Sequence, residues 1–345
     1  MYVKLTGRVL VNLHDLNNEA SIGTFTDIRK MKIIDREGAL REVVSVSGNM
    51  LKHWHSIYVK RLLEGNDSFC SYCGREEAWR LPQDDDRLKE IKEKEIKEKE
   101  LKRDDLFIEG EKKLLTTCAI EDIHGFLSPD PDINIKRESR VRFSWFVPVE
   151  ETGEEAIATA VHNRVAKITG EKKEIKQQKE IKQQMFFYKQ YASGVYSVTA
   201  SIDLGRISTS DYKSKNGKPI IVEGLKDETV KRRRKCAIEA LIPMMGGEMG
   251  ASLSRSLPIT KPIEIMIAIS DYPGLPNFVS AFYKDYRQAN LALMNSVAEV
   301  SKNDVHLIVV PPVEEIKNTS EHLRLYDEND VFSAIRLALE LITKG

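Results

Sequence analysis

Residues 3–13, VKLTGRVLVNL, alternate apolar and polar side chains along most of their length. Val3, Leu5 and Val9 fall on one set of alternate positions, and Lys4 begins the other set. Since successive side chains of a strand point to opposite faces of its sheet, the alternation predicts a half-buried β-strand with one polar face. This strand is the first element of the predicted fold.

The strand is followed by an unusually polar segment, residues 15–35, DLNNEASIGTFTDIRKMKIID. Connections in compact domains are mostly about 4–6 residues long, and longer ones are commonly functional or disordered. Paired asparagines, a glycine, hydroxyl groups and the adjacent Arg29 and Lys30 are not what a short turn requires, and the residues alone leave open what this loop holds. The segment is predicted to continue into a β-hairpin over residues 30–44, with its turn at 36–38.

Downstream patterns predict further helices and strands. Ser47 is predicted to cap a helix whose apolar stripe runs from Met50 to Leu62 and which ends at Gly65. With long insertions set aside, the order strand, helix, strand, strand, helix, strand is that of a ferredoxin-like unit. The remaining helices are predicted at about 229–245, 277–300 and 330–341, and the remaining strands at 140–149, 194–204, 263–270 and 305–310.

The fold class predicted from this order is α+β, with a ferredoxin-like core that carries large insertions. One core with insertions fits 345 residues better than two tandem domains. The predicted parts are a single core spanning 1–345, a loop and hairpin at 14–46, an insertion after the first helix at 66–139, a second insertion at 150–190 and a C-terminal appendix at 276–345.

The composition limits the classes of protein that fit. Apolar residues make up 41% of the chain, enough for a sizeable core, and 53 basic side chains balance 53 acidic ones. A polyanionic partner must therefore be held by local patches and not by a global positive field. The excess of Lys and Glu is a bias of hyperthermophile proteins. With four cysteines, no leader peptide and no apolar run of membrane-spanning length, the sequence predicts a cytoplasmic protein with no membrane partner.

Two segments are low in complexity. Residues 88–101, LKEIKEKEIKEKEL, repeat every five residues, and residues 174–184, EIKQQKEIKQQ, repeat every six. At about 100° per residue, the isoleucines of each repeat cannot share one helix face, so neither is predicted to form a coiled coil. Both repeats are predicted to be solvated projections or disordered tips.

Three polar segments are candidates for phosphate contact. KRRRK, residues 231–235, covers more than one helical turn, so its cations point in nearly every direction. Arg234 is expected along the apolar stripe, with its charged end toward water. A solvated helix end is the simpler interpretation of the run.

MMGGEMGASLSRSLP, residues 244–258, combines glycines, serines and an arginine, which would let backbone amides approach a phosphate. A helix C-cap with a plain loop is the alternative there. HNRVAK, residues 162–167, is either an exposed basic arm or a phosphate clamp.

Metal sites are the next candidates. His53 and His55 lie two residues apart on the predicted helix, about 200° around its axis, so they cannot bind one ion. CSYCG, residues 70–74, is half of a zinc knuckle, and two residues near position 120 could complete it. Free thiols are the preferred interpretation, so no cofactor is predicted. The zinc set that stays open as an alternative is Cys70, Cys73, Cys118 and His124.

Catalytic motifs are absent from the sequence. Neither a G-x-S-x-G nucleophile elbow nor an H-E-x-x-H zinc motif occurs, and no nucleotide fingerprint matches residues 244–258. Asp15, Asp27 and Asp35 are scattered around the opening loop and are weak candidates for metal-bound acids. No catalytic residue is predicted.

Four motifs together resemble a known family: GRVLVNLHDLNNEASIG followed by TDIRKMKI, VSGNMLKHWH, CAIEDIHGF and YASGVYSVTASIDLGRIS. They are similar to the CRISPR-associated DevR family, the RNA-binding backbone subunits of type I Cascade, and most of all to its archaeal I-A branch. The resemblance spans nearly the whole chain, and the motifs between residues 7 and 55 are its most specific part.

The resemblance implies a non-catalytic, hand-shaped subunit with a palm similar to an RNA-recognition motif, a finger-like insertion at 66–139 and a thumb at 150–190. Copies would stack along a CRISPR RNA in an antiviral surveillance complex and present its bases for pairing with target DNA. The implied partners are the CRISPR RNA, the target DNA strand through the guide, further copies of the chain, the large, small and 5′-handle subunits, and the helicase-nuclease.

The resemblance also implies which residues contact RNA. The wedge that separates bases would be Met185 or Phe186. Small and polar side chains would allow close contact with the sugar–phosphate chain, while base pairing reads the sequence. The implied RNA-binding residues are Asn17, Asn18, Ser21, Gly23 and Arg29 in the opening loop, Ser47, Gly48, Asn49, Lys52 and His53 at the first helix, His162 and Arg164 in the thumb, and Gly246, Gly247, Gly250, Ser252 and Arg255 in the glycine-rich connection.

Two other functions stay open. Related backbone subunits of type III complexes use an aspartate of the corresponding loop to cut RNA, which would make Asp27 the catalytic residue of a metal-dependent endoribonuclease. The family's autoregulator label suggests a transcriptional regulator instead, but the sequence contains no helix-turn-helix pattern.

Overall fold

The computed structural model describes residues 1–16, 18–22, 25–76, 81, 85–98, 103–130, 133–152, 156–167, 182–250, 257–313 and 320–344. Its strands are β1 (Tyr2–His14), β2 (Asn18–Ile22), β3 (Phe25–Ile28), β4 (Lys30–Ile34), β5 (Leu40–Val44), β6 (Phe126–Leu127), β7 (Lys136–Arg137), β8 (Val141–Phe143), β9 (Val147–Pro148), β10 (Ala156–Lys167), β11 (Lys182–Ile202), β12 (Thr209–Lys215), β13 (Lys218–Ile221), β14 (Ile259–Ser270), β15 (Val305–Val310) and β16 (Leu323–Asp327). Its helices are α1 (Gly48–Leu63), α2 (Asp86–Glu98), α3 (Arg103–Thr117), α4 (Ala119–His124), α5 (Asp227–Glu239), α6 (Leu241–Met245), α7 (Tyr286–Ser301) and α8 (Val331–Lys344).

The predicted first strand, β1, lies at the centre of a large mixed sheet. It pairs antiparallel with β11 on one side and with β14 on the other, and Leu5 lies between Ala200 and Ile267. Beyond β14 the sheet continues through β15 to β16, which is parallel to β15. On the other side, β11 also pairs with β8, β9 and β10, all antiparallel, and with β3, which is parallel. The fold is therefore a mixed α/β fold, with helices on both faces of one sheet.

One face of this sheet packs against α1, α5 and α8 to form the main core. Val9 and Leu5 of β1 are buried there with Leu51 of α1 and Ile335 of α8. The alternation in residues 3–13 places the apolar side chains on this face, as predicted. Among the described residues, none of the helices combines the length and the apolar character needed to cross a bilayer.

The polar face of β1 is buried as well, so the predicted half-exposed strand was wrong in this respect. Lys4 Nζ donates a hydrogen bond to Ser201 Oγ at 2.8 Å, and Thr6 Oγ1 accepts one from the amide of Ala281 at 2.9 Å. Arg8 Nε donates to the carbonyl oxygen of Ala281 at 2.9 Å. The segment before α7 covers the sheet here, which leaves this part of the sheet surface closed to a ligand.

Two predicted helices have different bounds in the structure. The helix expected over 229–245 ends at Glu239, and α6 follows it directly. Pro243 has no N–H to donate to the carbonyl of Glu239, which explains why the first helix does not continue. The helix expected from residue 277 begins only at Tyr286, because the preceding residues form the cover over β1.

Two segments that were predicted to lack regular structure do contain it. The opening loop includes β2 and β3, which form an antiparallel pair, and Phe25 of β3 lies in parallel register with Tyr188 of β11. Part of the first Lys/Glu repeat is helix α2, which buries Leu88 and Ile91 against α3. The second repeat lies outside the described residues, apart from its last positions, 182–184, which belong to β11.

One residue of the basic run at 231–235 stabilises the fold, whereas Lys231 and Lys235 are exposed, as the interpretation as a solvated helix end predicts. Arg233 is fully buried: its Nε donates to Asp67 Oδ2 at 2.7 Å and its Nη1 to Asp122 Oδ2 at 2.9 Å. Arg234, predicted to lie along the apolar stripe, is only half-buried. Arg232 stays nearer the surface, where it pairs with Glu228 of the same helix.

We expect Arg233→Ala to lower the free energy of unfolding by about 3–5 kcal/mol, because Asp67 loses its counter-charge and the buried Asp122 keeps only one of its two guanidinium partners, that of Arg137. The neighbouring Arg232→Ala removes a partly exposed pair within one helix and should cost only about 0.5 kcal/mol. Urea-induced unfolding of both variants measures the difference. Equal losses in the two variants would contradict the structural role assigned to Arg233.

Candidate nucleic-acid interface

The glycine-rich connection contacts the start of the opening segment at Gly250. Its φ is +107°, in the left-handed region that side-chain-bearing residues rarely adopt. A Cβ atom at this position would lie 2.5 Å from Cε1 of His14 and 2.9 Å from the carbonyl oxygen of Leu16. Only glycine therefore allows residues 246–250 to approach the end of β1 this closely.

Helix α1 contacts the same connection through two aromatic side chains. Trp54 Nε1 donates to the carbonyl oxygen of Gly250 at 3.1 Å, and the Tyr58 hydroxyl donates to that of Glu248 at 2.7 Å. The two rings are stacked with their centroids 5.9 Å apart. The first helix, the opening segment and the glycine-rich connection therefore meet in one region.

The base of the β10–β11 hairpin joins this junction through a buried ion pair. Lys189 Nζ of β11 lies 2.6 Å from Asp15 Oδ2. Beside it, His14 Nδ1 accepts a hydrogen bond from the amide of Leu16 at 2.8 Å, and burial lowers the pKa of His14 to about 4. Among the described residues the other ring nitrogen, Nε2, has no hydrogen-bond partner. In the described part of the chain, the junction is therefore held by neutral groups and by the Lys189–Asp15 pair.

The start of α1 forms a second patch on another flank of the same helix. Ser47 caps the helix as predicted, with its Oγ accepting from the amide of Met50 at 3.2 Å. A side chain at Gly48 would clash with the carbonyl oxygen of Phe143, so this glycine allows the helix to dock against the end of β8. Helix N-terminal amides and the partial positive charge of the helix dipole favour phosphate groups here.

A cavity of about 300 Å³ opens beside this N-terminus. The predicted residues Ser47, Asn49 and Lys52 line it, together with Arg142 and Trp145, which the sequence reasoning missed. The tryptophan side chain is 39% exposed. The sequence signal for this pair is in RVRFSW, residues 140–145. A cation and a large aromatic ring lie close together there, in a segment that was predicted only to form a strand.

The opposite side of Lys52 faces a larger cavity of about 710 Å³. Asn49, His53 and Ser56 of α1 line one wall, and the segment around Cys70 lines the other. Desolvation lowers the pKa of Lys52. Desolvation also lowers the pKa of His53, and the nearby carboxylate of Glu76 opposes this shift only in part. Asn49 and Lys52, both predicted binding residues, border both cavities, and the two cavities together are called the groove along α1 below.

His55 lies on a different side of α1 from His53, which confirms that the two histidines do not share a face. Its Nε2 donates to the carbonyl oxygen of Ala237 at 2.9 Å, so its Nδ1 accepts a 3.0 Å hydrogen bond from His124 Nε2. Burial lowers the pKa of His55 to about 4. Burial also lowers the pKa of His124 well below its usual value, and the nearby basic groups of His55, Lys52 and His53 lower it further. The two buried rings are neutral and structural.

The predicted thumb residues lie on the long β10–β11 hairpin. His162 is opposite Phe187 in the register, and Arg164 is opposite Met185. The side chain of Phe186, one of the two proposed wedge residues, is 47% exposed. The structure thus places both cations on one strand and both wedge candidates on its partner.

The other predicted residues are placed as follows. Arg29 is half-buried, and its carbonyl accepts from the amide of Ser45 at 3.0 Å. Gly246 ends α6, and Gly247, with φ +93°, packs closely against Thr260. Asn18 and Ser21 lie on β2. Asn17, Gly23, Ser252 and Arg255 lie outside the described residues.

Comparisons with known proteins agree with the motifs. Residues 5–291 match the family described as CRISPR-associated negative auto-regulator DevR/Csa2. A Methanocaldococcus jannaschii protein named CRISPR-associated protein Cas7/Cst2/DevR is 33% identical over 316 residues, which cover 88% of each chain. A relative of the same name from Thermoproteus tenax is 32% identical over 347 residues, 98% of this chain and 96% of that one.

The fold is also similar to that of a solved structure. A chain of a CRISPR RNA-guided surveillance complex, pre-nicking, superposes with a TM-score of 0.52 over 99% of this chain and 100% of that one. The two sequences are only 13% identical, so this similarity concerns the fold alone.

We expect Gly250→Ala to destabilise the junction, because the new methyl group would require left-handed backbone geometry and displace His14. The expected loss is about 1–3 kcal/mol for the strained backbone, plus the cost of the clash. Gly38→Ala is the control: its φ of +85° carries similar backbone strain, but a Cβ there meets nothing within 4 Å, so its loss should be that of the strain alone, about 1 kcal/mol. Thermal unfolding compares the two, and a tolerated alanine at position 250 would contradict the close approach.

Proposed function

This chain belongs to the CRISPR-associated DevR/Csa2 family, and from that membership we propose that it is a guide-RNA-binding backbone subunit of a type I-A Cascade complex. The structural observation that carries the proposal is the polar groove along α1. It combines a helix N-terminus, Lys52, Arg142 and the exposed ring of Trp145. These groups suit a single-stranded polynucleotide held mainly by its backbone.

The palm of such a subunit is proposed to be the ferredoxin-like core. Supporting this is the strand order β14–β1–β11, continued by the short strands β8 and β9, in which all neighbours are antiparallel. Helix α1 follows β1 in the chain, and α5 lies between β11 and β14. This is the element order of a split βαβ unit. Because the polar face of β1 is covered, the RNA would run along the helix side and the loops, not across the sheet.

Each group in the groove has a separate role in this proposal. The cation of Lys52 and the amides at the start of α1 would neutralise and position phosphates. The ring of Trp145 would stack on a base, an interaction that every base supports and that therefore carries little sequence preference. Sequence recognition is left to base pairing between the guide and its target.

Assembly with further copies of the chain and with the large, small and 5′-handle subunits is also proposed. The equal numbers of acidic and basic side chains support stacking, because a chain with a large net charge would repel its own copies along the RNA. The positive charge needed for RNA is then local to the groove.

The subunit is proposed to be non-catalytic. Asp27, the candidate acid of the endoribonuclease alternative, is exposed on β3. Among the described residues, the group of metal-binding side chains that the structure brings together does not include it. A single exposed carboxylate provides little of what metal-assisted RNA cleavage requires.

For RNA binding, we expect the protein to hold a single-stranded RNA of mixed sequence with a salt slope near −3, as for about 4–5 neutralised phosphates. Trp145→Ala should weaken binding by about 5- to 150-fold, because stacking contributes about 1–3 kcal/mol per base. Lys52→Ala should lower the slope by about 0.7, because one phosphate loses its counter-charge. Fluorescence anisotropy at several salt concentrations measures both effects.

Matched controls exist for both variants. Phe332→Ala removes an aromatic ring with 41% exposure on α8, and Lys218→Ala removes an exposed lysine on β13. Both should bind RNA like the unchanged chain. The proposed function fails if the unchanged chain ignores RNA at low salt, and the groove is the wrong site if all four variants bind equally.

For catalysis, we expect labelled RNA to stay intact when it is incubated with the protein and Mg²⁺. Denaturing electrophoresis of the unchanged chain and of Asp27→Asn should give identical patterns, because neither can assemble a metal-bound acid. Cuts that require Mg²⁺, recur at regular spacing and disappear in Asp27→Asn would establish the endoribonuclease instead.

A further inference from the structure

Three cysteines from two distant segments meet beside the larger cavity, whose wall includes two of them, Cys70 and Cys73. Cys70 and Cys73 belong to CSYCG, and Cys118 immediately precedes α4. Together with Glu121 of α4, they place one ligand atom each within 4.8 Å of all the others. Cys118 is fully buried and Glu121 is 6% exposed. Neither the family match nor the RNA groove explains why three thiols and a carboxylate should converge here.

The backbone around the first two cysteines is folded as a tight turn. The amide of Gly74 donates to the carbonyl of Cys70 at 2.9 Å, and the amide of Cys73 donates to Cys70 Sγ at 3.4 Å. This turn points both sulfurs to the same side. Cys118 is the residue immediately before α4, and Glu121 is the third residue of that helix, a pair of positions whose side chains lie close together at a helix start.

The chemistry of this set matches one class of ligand. We propose that Cys70, Cys73, Cys118 and Glu121 bind a single zinc ion that fastens the cysteine turn to α4. Tetrahedral zinc sites use thiolate, imidazole and carboxylate ligands, with zinc–sulfur bonds of about 2.3 Å, so that sulfur atoms lie about 3.8 Å apart. The observed spacing is close to that arrangement. Soft thiolates also select zinc over magnesium or calcium, which prefer oxygen ligands.

His124, the fourth ligand suggested by sequence spacing, is not part of this group in the described part of the chain. Its Nε2 faces His55 at 3.0 Å instead. It follows Glu121 by three residues and lies at the last position of α4, one turn away from the cysteine turn. The carboxylate therefore replaces the imidazole.

A second layer of charge supports the site. Arg87 donates to both carboxylate oxygens of Glu121 at 2.8 Å, and the same guanidinium is paired with Asp85. Three thiols would each release a proton on binding, so zinc with three thiolates and one carboxylate carries a net charge of −2. Arg87 orients the carboxylate and offsets part of that charge, the function that outer groups commonly have around zinc.

The test uses the purified full-length chain without RNA, so its result is independent of the proposed function. Protein produced with zinc in the medium should contain about one zinc per chain by inductively coupled plasma mass spectrometry. Cys73→Ser should reduce this content about tenfold or more, because one of three thiolates is lost. Cys236→Ser is the matched control, since Cys236 is a buried free cysteine outside the group, and its zinc content should not change.

A second measurement protects the test from misfolding of the serine variant. The unchanged chain, stripped of metal under reducing conditions, should take up Co²⁺ and show a sulfur-to-cobalt charge-transfer band that added Zn²⁺ abolishes. A chain that contains no zinc and gives no such band overturns the proposal. So does a Cys70–Cys73 disulfide, detected by thiol titration, in protein prepared under reducing conditions.

Discussion

The carboxylate of Asp122 is the interaction on which the arrangement of this molecule depends. It is fully buried, and it accepts from Arg137 Nη2 at 2.6 Å, from Arg233 Nη1 at 2.9 Å and from both the amide and the hydroxyl of Ser208. Burial alone would raise the pKa of Asp122, but the two guanidinium groups hold it below its ordinary value. Since an unpaired buried charge costs several kcal/mol, the helix and strands that supply these partners must keep their relative positions.

This constraint extends to the proposed RNA-binding groove through α4, a six-residue helix that is buried on all sides. Asp122 fixes its position, and the neighbouring residues then face three other parts of the molecule. Glu121 lies with the cysteine turn, and His124 hydrogen-bonds to His55 of α1. The orientation of α1 determines where Lys52 and the capped helix start are presented. The groove along α1 is therefore positioned by a charge network that does not itself line it.

The sequence was informative wherever a pattern is local. Alternation in residues 3–13, the Ser47 cap and the hairpin at 30–44 depend on neighbours within one element, and the structure contains all three. The covered polar face of β1 could not be predicted, because the residues that bury Thr6 lie some 270 positions later. For Gly250, the composition predicted a close approach of the backbone to a phosphate, and the packing of this glycine against His14 was not predicted. The choice of Glu121 over His124 required the direction in which α4 leaves Cys118.

The use of positive charge explains how a neutral chain can be proposed to hold a polyanion. A run such as KRRRK looks like a binding patch. However, Arg233 forms ion pairs with the buried carboxylates of Asp67 and Asp122, and Arg232 forms one with Glu228 of its own helix. Lys189 is likewise paired, with Asp15. A buried cation that is paired with a fixed carboxylate cannot also neutralise a phosphate without losing that partner. A cluster of basic residues in the sequence therefore overstates the positive charge that is available for RNA. In the proposed function, the cations that contact RNA are therefore those at partly open positions beside a helix N-terminus, where a phosphate would replace water and not a carboxylate.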